Sequence, residues 1–184
     1  MAKQFDRLND DHRRFIARQH LFFTASAAAD GRINLSPKGL DGFRVIDERA
    51  VCWLDLTGSG NETAGHIGRD GRLTVMFCAF EGQPLILRLY GRGAVMPRGS
   101  TGYQTLLDDL FESREPPGAR QIVRQEVELV QTSCGYGVPL FDYQGERDNL
   151  IRWAEHKGED GLAAYRREKN TVSLDGLPIG EPSR

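Results

Sequence analysis

Ala50-Val51-Cys52-Trp53-Leu54-Asp55-Leu56-Thr57-Gly58-Ser59-Gly60-Asn61-Glu62-Thr63 is the stretch on which the reading of this chain turns. Its first part is an apolar run with a β-branched and an aromatic member, the composition of a strand. It then empties into small residues, and from Glu62 to Ile67 the pattern becomes helical. Small residues at 57 to 61 let backbone N–H groups approach a ligand closely. Thr57, Ser59, Asn61 and Thr63 add short hydrogen-bonding side chains. The unpaired amides and positive dipole end of the following helix would complete an anion cradle, with phosphate the expected anion. The same residues would equally serve a glycine-rich connection in which Ser59 or Asn61 caps the helix. No Gly-Lys-Ser/Thr ending follows, so the stretch is not a P-loop.

Outward from this stretch, strands follow one another rather than alternating with helices. Phe5, Leu8, His12, Phe15, Ile16 and Gln19 recur at helical spacing and predict an amphipathic N-terminal helix. Residues 21–27 and 32–36 flank Asp30-Gly31, a hairpin signal. Further strands are predicted at 51–56, 72–80, 85–95 and 126–134. In the run 85–95, Leu85, Leu87 and Leu89 alternate with Ile86, Arg88, Tyr90 and Arg92, which predicts one core face and one surface or pocket wall. Helices are expected at 103–111, ending before Pro116-Pro117, and at 147–156 and 160–169. Six strands with peripheral helices predict a mainly β, α+β fold built on a small antiparallel barrel. With no βαβ alternation and no Gly-x-Gly-x-x-Gly opening a helix, a Rossmann sheet is disfavoured.

At 184 residues the chain fits a single domain, 1–184. The 24 Lys+Arg against 26 Asp+Glu are dispersed, so nucleic acid is not expected as a partner. No run approaches membrane-spanning length, and the first residues carry no apolar signal region, so no membrane association and a cytoplasmic location are expected. Cys52, Cys78 and Cys134 form no Cys-x-x-Cys pair and no cluster with histidine, so neither a metal site nor a disulfide framework is expected. Cys52 and Cys78 read as core residues, and Cys134 as structural or pocket-lining. His20 and His66 read as structural residues in helical segments, His12 and His156 as exposed. No Ser/His/Asp or His/carboxylate arrangement marks a separate catalytic apparatus, so catalytic residues stay unassigned.

Four segments carry a likeness beyond these patterns: Asn34-Leu35-Ser36-Pro37-Lys38-Gly39, residues 53–63, Met76-Phe77-Cys78-Ala79-Phe80-Glu81-Gly82 and Arg88-Leu89-Tyr90-Gly91-Arg92-Gly93. With Ser133-Cys134-Gly135-Tyr136-Gly137-Val138-Pro139 and the tail from Lys169-Asn170 to Pro178, their order and spacing resemble the pyridoxamine 5′-phosphate oxidase-like family of FMN-binding split barrels. The resemblance implies a split β-barrel and a homodimer with FMN at the subunit interface. It also implies an oxidoreductase acting on a small-molecule substrate. Ser36 and Lys38 match the family's strand along the flavin and its phosphate. Trp53, Leu54 and Asp55 match the strand against the flavin, and Thr57, Ser59, Asn61, Glu62 and Thr63 the phosphate loop and helix start. Arg88 matches an arginine that helps hold the cofactor. Tyr90, Arg92, Tyr136 and Cys134 are candidates for the substrate side.

The residues read on their own leave alternatives beside these roles. Lys38 offers a point charge to a dianion or solvates the turn after Pro37. Arg88, flanked by leucines, needs a phosphate, an acid or a ring as partner. Trp53 is core or flavin stacker, and Asp55 bonds a ring N–H or caps the loop. Three departures from the oxidases proper stand out: Gly60-Asn61 where they place an Arg-Lys pair, Ile86 where they place glutamine, and no Arg-x-His motif after Trp153. Oxidation of pyridoxamine phosphate is therefore not expected. The alternatives are a deazaflavin-dependent reductase and a non-catalytic flavin- or haem-binding protein. For haem, His20, His66 and Cys134 are the candidate axial ligands.

Overall fold

Period-two alternation carries much of the chain between residues 22 and 133 into one antiparallel sheet. The computed structural model describes residues 2–180. In chain order the elements are β1 (Lys3–Phe5), α1 (Asp10–Ile16), β2 (Phe22–Ser26), β3 (Asn34–Lys38), β4 (Phe43–Val45), β5 (Ala50–Leu56), α2 (Glu62–Ile67), β6 (Arg72–Cys78), β7 (Ile86–Pro97), α3 (Thr101–Phe111), β8 (Ala119–Ser133) and α4 (Asn149–Lys169). The strand order is β3-β2-β6-β7-β8-β5-β4, with β1 added to β8. The antiparallel split-barrel class stands, but the sheet has eight strands where the sequence predicts six. The additional two, β1 and β4, have three residues each, too few for alternation to register. β8 begins at Ala119 rather than 126, because Gln121 and Gln125 are buried and interrupt its apolar pattern.

Bulges curl the sheet. One falls between Tyr90 and Gly91, where β7 passes so near β8 that a Cβ on Gly91 would lie 1.8 Å from the Glu126 carbonyl oxygen. The other falls between Asp55 and Leu56: Asp55 pairs with Gln121 and Leu56 with Ala119, so Arg120 is the extra residue. The curl brings opposite ends of the strand order together. Phe22 of β2 meets Phe43 of β4 at 4.9 Å and Trp53 of β5 at 5.9 Å between ring centroids. β3 and β4 share no ladder among the described residues, and the barrel stays split between them.

The interior is filled by Leu73, Val75 and Phe77 of β6, Leu87 and Leu89 of β7, and Val123, Val127 and Val130 of β8. Burial of this apolar surface is the main force holding the curled sheet. On the outer face, Tyr103, Leu107 and Phe111 of α3 pack against Cys52 and Ile122.

Several local expectations change. α1 is shorter than the predicted helix: the Asn9 side chain caps it, and the Asn9 amide donates in turn to His12 Nδ1 at 3.2 Å. His12 is thereby buried, not exposed. His20 lies at an exposed bend outside any helix, its ring stacked 3.6 Å from that of Tyr143. The two C-terminal helices, by contrast, are present as expected: they are the two halves of α4, separated at Gly158, whose φ of 63° and ψ of 171° are not helical. No helix of the described residues is long and apolar enough to cross a membrane.

Candidate functional site

Where the two ends of the sheet face each other, a cavity of about 820 Å³ opens. β3 contributes Ser36 and Lys38, β5 contributes Trp53, Leu54 and Asp55, and the following loop and α2 contribute Ser59, Asn61, Glu62 and Thr63. These predicted site residues, scattered in sequence, are thus gathered on one wall. Leu150 and Ile151 of α4 and Leu174 of the tail add an apolar side.

Thr57 and Arg88 do not line the cavity. Thr57 is fully buried beneath the loop, where its hydroxyl donates to the Gly118 carbonyl at 2.9 Å. Arg88 points away from the core and donates to Ser133 Oγ at 3.1 Å. Tyr90 bonds Gln131 and Arg92 pairs with Glu128, while Cys134 and Tyr136 are exposed; none of the four lines the cavity.

At the centre of the wall sits the Asp55 carboxylate, 4 % exposed. Lys38 Nζ reaches one of its oxygens at 2.6 Å, from the opposite end of the strand order. Arg120 Nε and Gln121 Nε2 reach the other at 2.9 and 2.8 Å. Burial pushes this carboxyl up, but the Lys38 ammonium and the Arg120 guanidinium outweigh it and hold the group below the usual carboxylate range. Lys38 is therefore committed to an ion pair as well as facing the cavity.

Arg120 is the residue that sequence reasoning missed. Besides Asp55, it donates to the Gly60 carbonyl at 2.9 Å and to Asn170 Oδ1 at 2.9 Å, pinning the loop to β8 and to the end of α4. Its place as the bulged residue explains the miss, since a bulge breaks the alternation by which a strand side chain is assigned a face. The cue in the sequence is Pro116-Pro117-Gly118, a turn that ends one element just before Ala119. Asn170 completes the clamp by donating to the Gly58 carbonyl at 3.2 Å.

Asn61 occupies the N-cap of α2 but makes no capping bond. Its side-chain oxygen instead accepts from Gln121 at 2.8 Å. Glu62 is occupied by the Leu174 amide at 2.9 Å. Consequently the amides from Gly58 to Thr63 donate to no protein acceptor among the described residues. A row of unpaired donors beside a cavity is costly unless water or a ligand accepts from it. The buried indole N–H of Trp53, on the same wall, has no protein acceptor among the described residues either.

Comparison with known proteins places this geometry in a family. Residues 8–134 match the model of the pyridoxamine 5′-phosphate oxidase family. A relative, the pyridoxamine 5′-phosphate oxidase family protein ustO of Aspergillus flavus, is 38 % identical over 190 residues, covering 95 % of this chain and 76 % of that protein. Among solved structures, HupZ of Group A Streptococcus is similar in fold, with a TM-score of 0.53 and 20 % identity over 66 % of this chain and 91 % of that one. HutZ, the heme storage protein of Vibrio cholerae, has a TM-score of 0.51 and 16 % identity over 71 % of this chain and 98 % of that one. The matched span runs from Leu8 past the end of β8 and includes every strand that lines the cavity, and this chain belongs to the pyridoxamine 5′-phosphate oxidase family.

Proposed function

We propose that the cavity binds FMN and that the protein is a flavin-dependent oxidoreductase acting on a small organic molecule. The observation carrying this reading is the row of unpaired amides from Gly58 to Thr63 at one end of a cavity whose other side is apolar. Its volume of about 820 Å³ suits a cofactor-sized ligand. The polar end fits a phosphate, and the wall of Trp53, Leu54, Leu150 and Ile151 fits a flat ring system.

Each residue has a role in this reading. The loop amides receive the phosphate oxygens. Lys38 and Arg120 share the Asp55 carboxylate, and Glu62 at the helix start adds a second negative charge, so the loop amides, rather than a net positive charge, favour the anion here. Arg120 and Asn170 hold the loop carbonyls back, which keeps the amides turned toward the ligand. Bound flavin supplies the ability to accept and return electrons. The protein orients it and limits the approach of water.

The choice between flavin and haem rests on the lining residues. Haem iron takes an axial ligand such as histidine, cysteine, methionine or tyrosine, and none of these lines the cavity among the described residues. His66 is buried and bonded to Ser26 at 3.1 Å, and Cys134 lies on the surface. We further propose a homodimer. β3 is a sheet edge: its Leu35 and the preceding Ile33 are 64 % and 76 % exposed, and Leu174 beside the cavity is 75 % exposed. A second chain covering them would also shield a flavin. Three free cysteines, two of them buried, support a reducing, cytoplasmic setting.

The test is spectral. Protein purified from cells should show flavin absorbance, with mass spectrometry identifying FMN rather than a deazaflavin. A Soret band would transfer the assignment to haem. Lys38→Ala should weaken FMN binding roughly tenfold through the lost charge-assisted contact. Bleaching on anaerobic addition of NAD(P)H separates a reductase from a passive carrier. A well-folded preparation that takes up no flavin at saturating concentration overturns the proposal.

A further inference from the structure

A second cavity, of about 660 Å³, lies on the other side of the Gly58–Gly60 loop, between α2, the end of β7 and the last turn of α4. Its walls are of two kinds. Ile67, Val95 and Ile179 are apolar, and Arg166 and Arg167 are cationic. Arg120, which borders both cavities, is already neutralised by Asp55. By contrast, neither Arg166 nor Arg167 has a carboxylate within 4.0 Å among the described residues.

Arg166 is the more telling of the two. Its guanidinium is half-buried and donates to Thr57 Oγ1 at 3.1 Å and to the Ala119 carbonyl at 3.5 Å, both uncharged acceptors. Burial and the nearby cations Arg98 and Arg120 push it below its usual value, against an opposing pull from Glu159. A cation taken partly out of water beside other cations ordinarily has an anion against it. The last turn of a helix favours basic residues through its dipole, which accounts for the presence of Arg166 and Arg167 but supplies no counter-charge inside the cavity.

We propose that this second cavity binds a small amphipathic anion, a carboxylate or phosphate monoester with an apolar body. Its charged head lies against Arg166 and Arg167, and its apolar part against Ile67, Val95 and Ile179. The site is separate from the flavin reading and stands without it, because neither Arg166 nor Arg167 lines the first cavity.

The experiment is isothermal titration of the full chain with 4-phenylbutyrate, phenyl phosphate and the neutral analogue 4-phenylbutan-1-ol. The first two distinguish a carboxylate head from a phosphate head. At least one anion should bind, and the alcohol roughly tenfold or more weaker, because it forgoes the charge-assisted hydrogen bonds. Arg166→Gln and Arg167→Gln should each weaken the anion by about tenfold, and Arg166→Lys, which keeps the charge, by less. Melting curves report whether the variants fold; Arg167 is exposed and makes no side-chain bond among the described residues, so Arg167→Gln serves should Arg166→Gln unfold. FMN affinity should be unchanged in Arg167→Gln. Binding of neither anion at millimolar concentration, or equal binding of the alcohol, overturns the proposal. So does a parallel loss of FMN affinity in Arg167→Gln, which would make the cavity part of the flavin site. A protein that binds the anions and refuses FMN would leave this site standing while removing the proposed function.

Discussion

Replacing Asp55 with asparagine keeps the shape of the side chain and an acceptor for Gln121, but removes the charge that Lys38 and Arg120 share. The two cations differ in what they can do next. Lys38 has a side chain 24 % exposed and can turn into the cavity to hydrate. Arg120, at 7 %, cannot do so without releasing the Gly60 carbonyl and Asn170. Removing one member of a buried ion pair costs about 3–5 kcal/mol, and with only one cation stranded the lower end applies, about 3 kcal/mol. For a domain of this size that corresponds to a fall in Tm of roughly 6–12 °C. Thermal and urea unfolding of both proteins at pH 7 measure it directly.

The pH dependence gives a second, independent reading. Asp55 is held below the ordinary carboxylate range in the folded state. Its contribution is therefore fully present above the unfolded value of about 4 and is lost as pH falls through the lower folded value. The advantage of the wild type over Asp55→Asn should shrink as the pH is taken below about 4. A loss under about 1 kcal/mol at pH 7, within the range of exposed pairs, would refute the reasoning. A difference that persists undiminished in acid would refute it too.

Other outcomes follow from the same geometry. Arg120→Gln should raise the Kd for FMN by about tenfold or more, read by flavin fluorescence, because the Gly60 carbonyl is released; unchanged affinity would detach the loop from the site. Gly91→Ala places a methyl group 1.8 Å from the Glu126 carbonyl oxygen and should cost about 3 kcal/mol or more, seen as a lowered urea midpoint. A neutral-pH thiol reagent should modify Cys134 alone in the native protein, since burial pushes the Cys52 thiol up to about 12 and also raises that of Cys78. Rapid modification of all three thiols in folded protein would contradict that packing.

The antiparallel barrel was legible because its signals are local: the apolar run of β5, the alternation within β6 and β7, and small residues after Leu56. Most of the cavity wall was legible for the same reason, with the family likeness supplying which strands face each other. The helix-capping alternative for Asn61 was equally local and fails, because Gln121 from β8 takes the side chain that would have capped α2. Thr57 sits in the same loop as Ser59, yet the chain turns it under toward Gly118. Alternation correctly put Arg88 opposite Leu87 and Leu89, and that face is the one turned away from the cavity.

By itself, then, the order of residues determined the strand character of the chain, the glycine-rich loop before α2 and the identity of most of the groups beside it. Only the tertiary structure decided how those groups are charged and held. Lys38 and Asp55 lie on β3 and β5, strands far apart in the sheet order, and they meet because the sheet curls. Arg120 reaches both Asp55 and the loop because a bulge turns one residue of β8 out of register. Curl and register are summed over the whole sheet, so no short window of sequence contains them.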